Sequence, residues 1–418
     1  MPGRGASRLS VRPTARGWQA LFAGVLTLVV ARLIGTTQFH QLAYALFALP
    51  LASLALGVMG SRGLRYSRAL PPGNRITAGS PATLRLLLER SRFGATKASV
   101  MDRLPGPRSF DFSATREKSR IEVPLTFARR GVYTLGPAEV RVADPFGLLR
   151  FARKDWETME VVVYPRVHEL RGFPLRGGNM EAGTTGSRGR RGEEFANLRE
   201  YRRGDDRRHI HWKSLARTGE LFVKEFSLQA PRRHTVALDL RREGLRTQED
   251  EIEDAVSAAA SVLTHLARES LPFRLLDTGS SHTDTGFGSD EDSYWEAMRL
   301  LATARADGVP RLGETVLGER GGLGEGVVLV SRTRDAGLPA AVRSLRNAGL
   351  SVVVVALASY TYRTPPGTGG ASQGREEEFA RSLRMLEASG ATVRVVAGPA
   401  GVAGLSGGRK AARTGGVW

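Results

Sequence analysis

Two apolar runs near the N-terminus constrain this chain more than any other feature. "WQALFAGVLTLVVARLIG" (Trp18 to Gly35) and "LAYALFALPLASLALGVM" (Leu42 to Met59) each hold about 18 residues, near the lower end of what crosses a hydrocarbon core as a helix. Two transmembrane helices are therefore expected within residues 18–60. Arg32 lies near the end of the first run and can snorkel to the interface. Pro50 lies inside the second, where a membrane helix tolerates it as a kink. A cleaved signal peptide suits the basic start, but no small-residue cleavage site follows the first run, and a second apolar run comes at once. The link Thr36–Gln41 has no Lys or Arg, whereas Arg4, Arg8, Arg12 and Arg16 precede the pair and Arg62, Arg65 and Arg68 follow it. Positive charge stays on the cytoplasmic side. Residues 1–17 then form a basic cytoplasmic tail, and the large region after the second run also lies in the cytoplasm of a multi-pass cell-membrane protein.

The remaining composition narrows the partners. Lys plus Arg number 61 against 42 Asp plus Glu, a net charge of +19 over 418 residues, which favours an anionic surface. Beside two membrane helices that surface is lipid, where each basic side chain contributes about 1 kcal/mol, and nucleic acid is not expected. The absence of Cys excludes disulfides, Cys-ligated zinc and thiol nucleophiles.

Past the membrane, residues 65–167 change to alternating runs with β-branched content. "TLRLLLER" (Thr83–Arg90), "RIEVPLTFA" (Arg120–Ala128), "AEVRVAD" (Ala138–Asp144) and "ETMEVVVYP" (Glu157–Pro165) have strand period. Turn residues at Pro71–Asn74, Gly106-Pro107 and Gly136-Pro137 separate them. A small antiparallel sandwich of immunoglobulin type is expected. The Gly- and Arg-rich run Arg176–Glu194 reads as a loop; it lacks the preceding strand and the Lys and hydroxyl spacing of a phosphate-binding loop.

Within 232–400, strands and helices alternate. Strands are expected at His234–Leu240, Leu271–Asp277, Gly326–Ser331, Leu350–Leu357 and Ala391–Ala397. Helices are expected at Glu249–Glu269, about Glu291–Thr303, around Pro339–Asn347 and at Glu376–Ser389. This alternation specifies a doubly wound, mostly parallel sheet, so the chain is multidomain α+β. Residues 401–418 read as a flexible basic tail.

The densest segment is "GEEFANLREYRRGDDRRHIHWKSLARTGELFVKEF" (Gly192 to Phe226). One reading is metal-dependent hydrolysis: Asp205, Asp206, His209 and His211 lie close together, and His-x-His in an extended segment projects both rings to one face. Basic neighbours Arg207, Arg208 and Lys213 disfavour a cation. A second reading, a nucleic-acid groove with Tyr201 and Trp212 interleaved, is weakened by Glu193, Glu194, Glu200, Asp205 and Asp206. The third is structural and interactive. Phe195, Leu198, Tyr201, Ile210, Trp212, Leu215, Leu221 and Phe226 are expected to be buried, while Arg-carboxylate forks orient a turn at Gly204-Asp205. The candidate residues are Arg199, Tyr201, Arg202, Gly204, Asp205, Arg208, Trp212, Ser214 and Arg217.

The motif "REYRRGDDRRHIHWKSLARTGEL", with "RRGVYTLGP", "ADPFGLLR" and "VVVYPRV" before it, resembles domain of unknown function 58, over nearly the whole chain. The resemblance implies a bacterial membrane protein associated with MoxR-type AAA+ ATPases and their clients, and an α/β domain of von Willebrand factor A type. That fold's usual metal site, Asp-x-Ser-x-Ser, is degenerate in this sequence. Asp239 is kept, Arg241 and Glu243 replace the serines, and Ser331 stands about where a late Asp would be. A guanidinium there repels a dication, so neither metal nor other cofactor is expected. No P-loop is present, no small-molecule substrate is indicated, and no complete catalytic constellation is found. The expected function is a membrane-anchored adaptor or assembly protein; a hydrolase built on the Asp/His cluster and an envelope structural protein are the alternatives.

Overall fold

The computed structural model describes residues 9–71, 73, 75–90, 97–113, 118–155, 157–174, 193–202, 210–228, 232–242, 249–319, 322–332, 335–363, 369–398 and 401–406. The chain divides into two units, Met1–Pro165 and Arg166–Trp418.

The first unit begins with a strand, β1 (Leu9–Pro13), and two long helices, α1 (Ala15–Ile34) and α2 (Thr37–Arg62). Both helices are long and apolar enough to cross a membrane. They run beyond the apolar windows, and only Gly35 and Thr36 separate them. Thr14 caps α1 by accepting from the Gly17 N–H, and Gly35 ends it at φ 72°, a left-handed conformation that glycine adopts without steric cost. α2 continues through Pro50.

Ten strands follow: β2 (Leu64–Ala69), β3 (Ile76–Thr77), β4 (Pro81–Arg90), β5 (Lys97–Leu104), β6 (Gly106–Ser113), β7 (Lys118–Thr126), β8 (Gly131–Leu135), β9 (Ala138–Ala143), β10 (Leu149–Asp155) and β11 (Met159–Tyr164). They form sheets ordered β1-β10-β9-β5-β6, β2-β4-β7 and β3-β11-β8, antiparallel except for β3 with β11. In β4 the period of two is plain: Ala82, Leu84, Leu86 and Leu88 are buried and join Val100, Phe112, Val123, Phe127, Val140, Phe151 and Val163 in one core. The buried Asp102 on β5 accepts from Tyr66 Oη at 2.6 Å and from Arg68 Nε at 2.7 Å and Nη2 at 2.9 Å, tying β2 to β5. One expectation is corrected here. Residues 9–13 are not part of a free tail but the edge strand of a sheet, with Val11 opposite Phe151 and Arg12 opposite Arg150. Five residues are too short for alternation to stand out in a sequence.

The second unit opens with β12 (Glu193–Glu200) and β13 (Phe222–Leu228), an antiparallel pair carrying α3 (Trp212–Thr218) in its connection. Next come β14 (His234–Leu238), α4 (Glu249–Arg268), β15 (Phe273–Asp277), α5 (Glu291–Thr303), α6 (Leu312–Gly318), β16 (Gly326–Ser331) and α7 (Leu338–Asn347). β17 (Ser351–Leu357), α8 (Ser359–Arg363), α9 (Gly369–Ala388) and β18 (Thr392–Val396) follow, and then a 3-10 turn, Val402–Ser406. With Val402 and Leu405 buried, residues 401–406 are not the flexible tail expected there. The sheet order β15-β14-β16-β17-β18 is parallel throughout. Ala237, Leu329 and Val354 face Val316 of α6, Val342 of α7 and Leu386 of α9. Side chains alternate across a strand, so the opposite face, with Val236, Val328 and Val353, meets α4, on which α5 packs.

Candidate functional site

Open parallel sheets bind ligands outside the carboxyl ends of their strands, where the strand order reverses. Here that point lies between β14 and β16. The register Leu238 opposite Val330 sets Asp239 beside Ser331, and the Asp239 N–H donates to the Val330 carbonyl at 2.9 Å. The two residues picked out in sequence as remnants of a metal site are therefore neighbours. Asp239 is fully buried. Its Oδ1 accepts from the Arg241 N–H at 3.0 Å and faces Thr278 Oγ1 at 3.4 Å. Arg241 thus contributes its backbone to Asp239 in a tight local turn. Glu243 lies outside the described residues.

The cation that occupies this edge is Arg332, one residue past β16. It is among the largest fully buried side chains, and its Nη2 donates to the Arg241 carbonyl. Its Nε and Nη1 meet no hydrogen-bond partner among the described residues. Each buried donor left so costs about 1–3 kcal/mol, a position that stability alone does not account for. Arg332 was not among the expected site residues, although a charged residue directly after the apolar run Gly326–Ser331 was its signal in the sequence. The Ser359 hydroxyl lies 2.6 Å from both the Arg332 carbonyl and Glu251 Oε1, and Tyr362 Oη donates to Asp254 at 2.6 Å. Glu251 and Asp254 are one turn apart on α4, so these bonds pin α8 to that helix. Burial raises the Asp254 carboxyl above its usual range, against the lowering pull of the Tyr362 hydrogen bond.

A cavity of about 60 Å³ opens beside this edge, lined by Arg332, Asp335, Ser359, Tyr360, Arg375 and Phe379 among others. Asp335 is already committed: Oδ1 accepts from the Gly337 N–H at 2.9 Å and Oδ2 from the Gly313 N–H at 3.0 Å. Away from the cavity, Gly308 packs on the segment that follows β14. Its N–H donates to the Leu240 carbonyl and its carbonyl accepts from the Arg242 N–H. A Cβ at 308 would sit 1.6 Å from the Thr278 oxygen, so only glycine permits this approach. Among the described residues no group of three or more His, Asp or Glu is arranged to hold a metal ion.

The Gly192–Phe226 motif forms a separate element, the β12–β13 hairpin. Arg199 stands opposite Val223, and the Tyr201 and His211 N–H groups donate to the Leu221 and Phe222 carbonyls, which brings α3 back to the start of β13. Ile210 is buried as expected, and Tyr201 and Leu215 are half-buried. Two expectations are corrected: Trp212 is 63% and Leu221 40% exposed. For Trp212 the reason is local, because no residue of the short α3 is fully buried; Leu221 lies in the turn between α3 and β13. Arg202 and Arg217 are also exposed. Ser214 Oγ lies 2.7 Å from His211 Nδ1, a bond within the first turn of α3. Gly204, Asp205, Asp206, Arg208 and His209, and the side chains of Phe195, Leu198, Arg199 and Phe226, lie outside the described residues.

Residues 197–270 match the family described as protein of unknown function DUF58. The matched segment is 74 of the 418 residues, whereas the resemblance read from the sequence covers nearly the whole chain. The DUF58 match runs from β12 through α3, β13 and β14 to the end of α4, and so joins the exposed Trp212 and the buried Asp239 in one segment. No curated protein matches the chain. Among solved structures it is similar to proximal thread matrix protein 1 from the mussel byssus, at 9% identity and a TM-score of 0.27, over 43% of this chain and 46% of that one. The chain thus spans less than half the length of that protein, and a likeness this weak bears on neither fold nor function.

Proposed function

We propose that the chain is a membrane-anchored cytoplasmic adaptor acting through protein–protein contact, and that a MoxR-type AAA+ ATPase is the partner whose remodelling of clients it directs to the membrane. The observation that carries this reading is Trp212, a large aromatic side chain left exposed inside the DUF58 match, on a helix held by the β12–β13 hairpin. Tryptophan on a rigid element is the residue type that most often anchors an interface. In the same reading α1 and α2 are membrane spans with both ends in the cytoplasm, the strands of the first unit form an immunoglobulin-like sandwich, and the parallel sheet is of von Willebrand factor A type. The crevice at Asp239 suits binding better than hydrolysis, because its carboxylates are taken up by backbone N–H groups and Arg332 sets a fixed cation beside them. ATP hydrolysis then resides in the partner.

Capture of the full chain from detergent-solubilised membranes tests this. Trp212→Ala is expected to lower recovery of the ATPase by about tenfold or more, the loss of an anchor residue. Equal recovery by a variant with unchanged melting temperature removes the motif as the docking face.

A further inference from the structure

The helical hairpin is seated on the strands of its own unit at a single level. The Thr14 N–H donates to the Leu148 carbonyl at 2.8 Å, and the Thr14 hydroxyl donates to the Gly147 carbonyl at 2.7 Å. Gly17 lies so close that a Cβ there would be 2.3 Å from the Leu148 oxygen. From the other helix, Ser53 Oγ donates to Asp144 Oδ2 at 2.5 Å. Gly24 faces Leu46 and Phe47, so in this antiparallel pair Gly17 and Ser53 stand at the same height. The loop 144–148 therefore meets α1 at its base and α2 at Ser53, nine residues before that helix ends. Asp144 holds its shape, accepting from the Phe146 N–H at 3.0 Å and the Leu149 N–H at 2.7 Å.

Length then decides where a bilayer boundary falls. From Gly17 to Ile34, α1 rises about 25 Å at 1.5 Å per residue, short of a hydrocarbon core of about 30 Å. A membrane that covers the hairpin reaches the loop at its base. α2 agrees, because its outer face stays apolar below Ser53, with Leu54, Leu56 and Met59 all exposed. On the loop itself Phe146 is 45% exposed. Exposed arginines stand in the segments around it, together with the exposed Val11 and Trp18. Arg12 and Arg150 are register partners across β1 and β10, and Arg16 reaches within 3.9 Å of where a Gly147 Cβ would stand. Aromatic rings settle at the head-group level, and arginines there are drawn to anionic lipid.

We propose that the loop 144–148 is a membrane-seating collar, in which Phe146 enters the head-group region and Arg12, Arg16 and Arg150 hold the phosphates of anionic lipids. This rests on the reading of α1 and α2 as membrane spans, and the test separates the two. Because the chain has no Cys, Phe146→Cys and Leu26→Cys each carry a single spin label on the full chain. The probes are vesicles of phosphatidylcholine with phosphatidylglycerol, and of phosphatidylcholine alone. Relaxation by oxygen reports lipid, and relaxation by a water-soluble nickel chelate reports solvent. The label at 26 is expected deep in lipid. The label at 146 is expected between that depth and water, and shifted towards water when the anionic lipid is left out. A label at 146 fully in water while 26 stays in lipid overturns the collar and leaves the spans standing; both labels in water overturn both readings. Shielding of 146 from both reagents puts protein on the loop and overturns the lipid assignment, and an identical depth in the two kinds of vesicle overturns the role given to the arginines.

Discussion

Arg274, buried on β15, gathers four bonds from three groups. Nε and Nη2 grip Asp284 at 2.6 and 2.5 Å, Nη2 also reaches Glu319 at 2.9 Å, and Nη1 donates to the Gly322 carbonyl at 2.9 Å. The hydrogen bond from Arg274 holds the Asp284 carboxyl below its ordinary range, outweighing the opposing effect of burial. A carboxyl lowered in the folded state contributes stability that is complete above its unfolded value, about 3.9, and is lost as pH falls through the lower folded value. Arg274→Met is expected to cost about 2 kcal/mol at neutral pH, because the acidic partners are only partly buried, and to flatten the loss of stability below pH ~4. Urea unfolding of the two proteins across that range measures both. At this scale the sequence was legible where one strand end carried the signal, as at Asp239. It misled where burial was inferred from residue type alone: Trp212 is apolar, yet it starts a helix of seven residues none of which is buried. Arg332 had only a weak local mark, a charge directly after an apolar run; the bond to the Arg241 carbonyl that gives it weight comes from how the two strand ends meet.

Among the elements, α5, β16 and β17 fell close to their expected bounds because apolar runs and caps mark them. Asp290, which accepts from the Ser293 N–H at 2.7 Å, opens α5 in this way. β5, β6, β8 and β10 went unread. β8 is only five residues long and β10 carries Arg and Lys, so pairing with β11 and β9 defines them. β5 does alternate, buried at Ala98, Val100, Asp102 and Leu104, but Asp102 and the polar residues between mask the pattern in the sequence. β1 is the sharpest case, a strand made by its partner. Deleting residues 9–13 is expected to leave β10 as a bare edge and to lower the melting temperature of the detergent-solubilised chain by several degrees, the ~4–8 °C that roughly 1 kcal/mol produces in a small domain. Replacing the same residues with a Gly/Ser run of equal length separates lost pairing from lost length, and an unchanged melting temperature in both variants shows that the strand adds no stability.

For the molecule as a whole, the division at Pro165 and Arg166 gives each unit its own core and its own solvent. The first unit has two helices whose apolar faces are uncovered, including Phe22, Leu33 and Leu51; the second has a sheet covered on both faces. A fragment beginning at Arg166 is expected to stay monodisperse without detergent and to unfold cooperatively in urea, whereas one ending at Pro165 needs detergent to remain in solution. Size-exclusion chromatography of both fragments checks this, and aggregation of the second fragment counts against its independence. This arrangement was readable from the sequence because the switch from continuous apolar runs to a period of two, and then to alternating strands and helices, is a property of long segments.

The turn at Gly35 and Thr36 carries a consequence for communication. With α1 and α2 as spans, what emerges on the far side of the bilayer is a short link, Gly35 to about Gln41, too little to form a receptor surface. A link of that length offers soluble molecules on that side little to hold. Any message crossing the membrane has to arrive sideways, through other helices that pack against the hairpin.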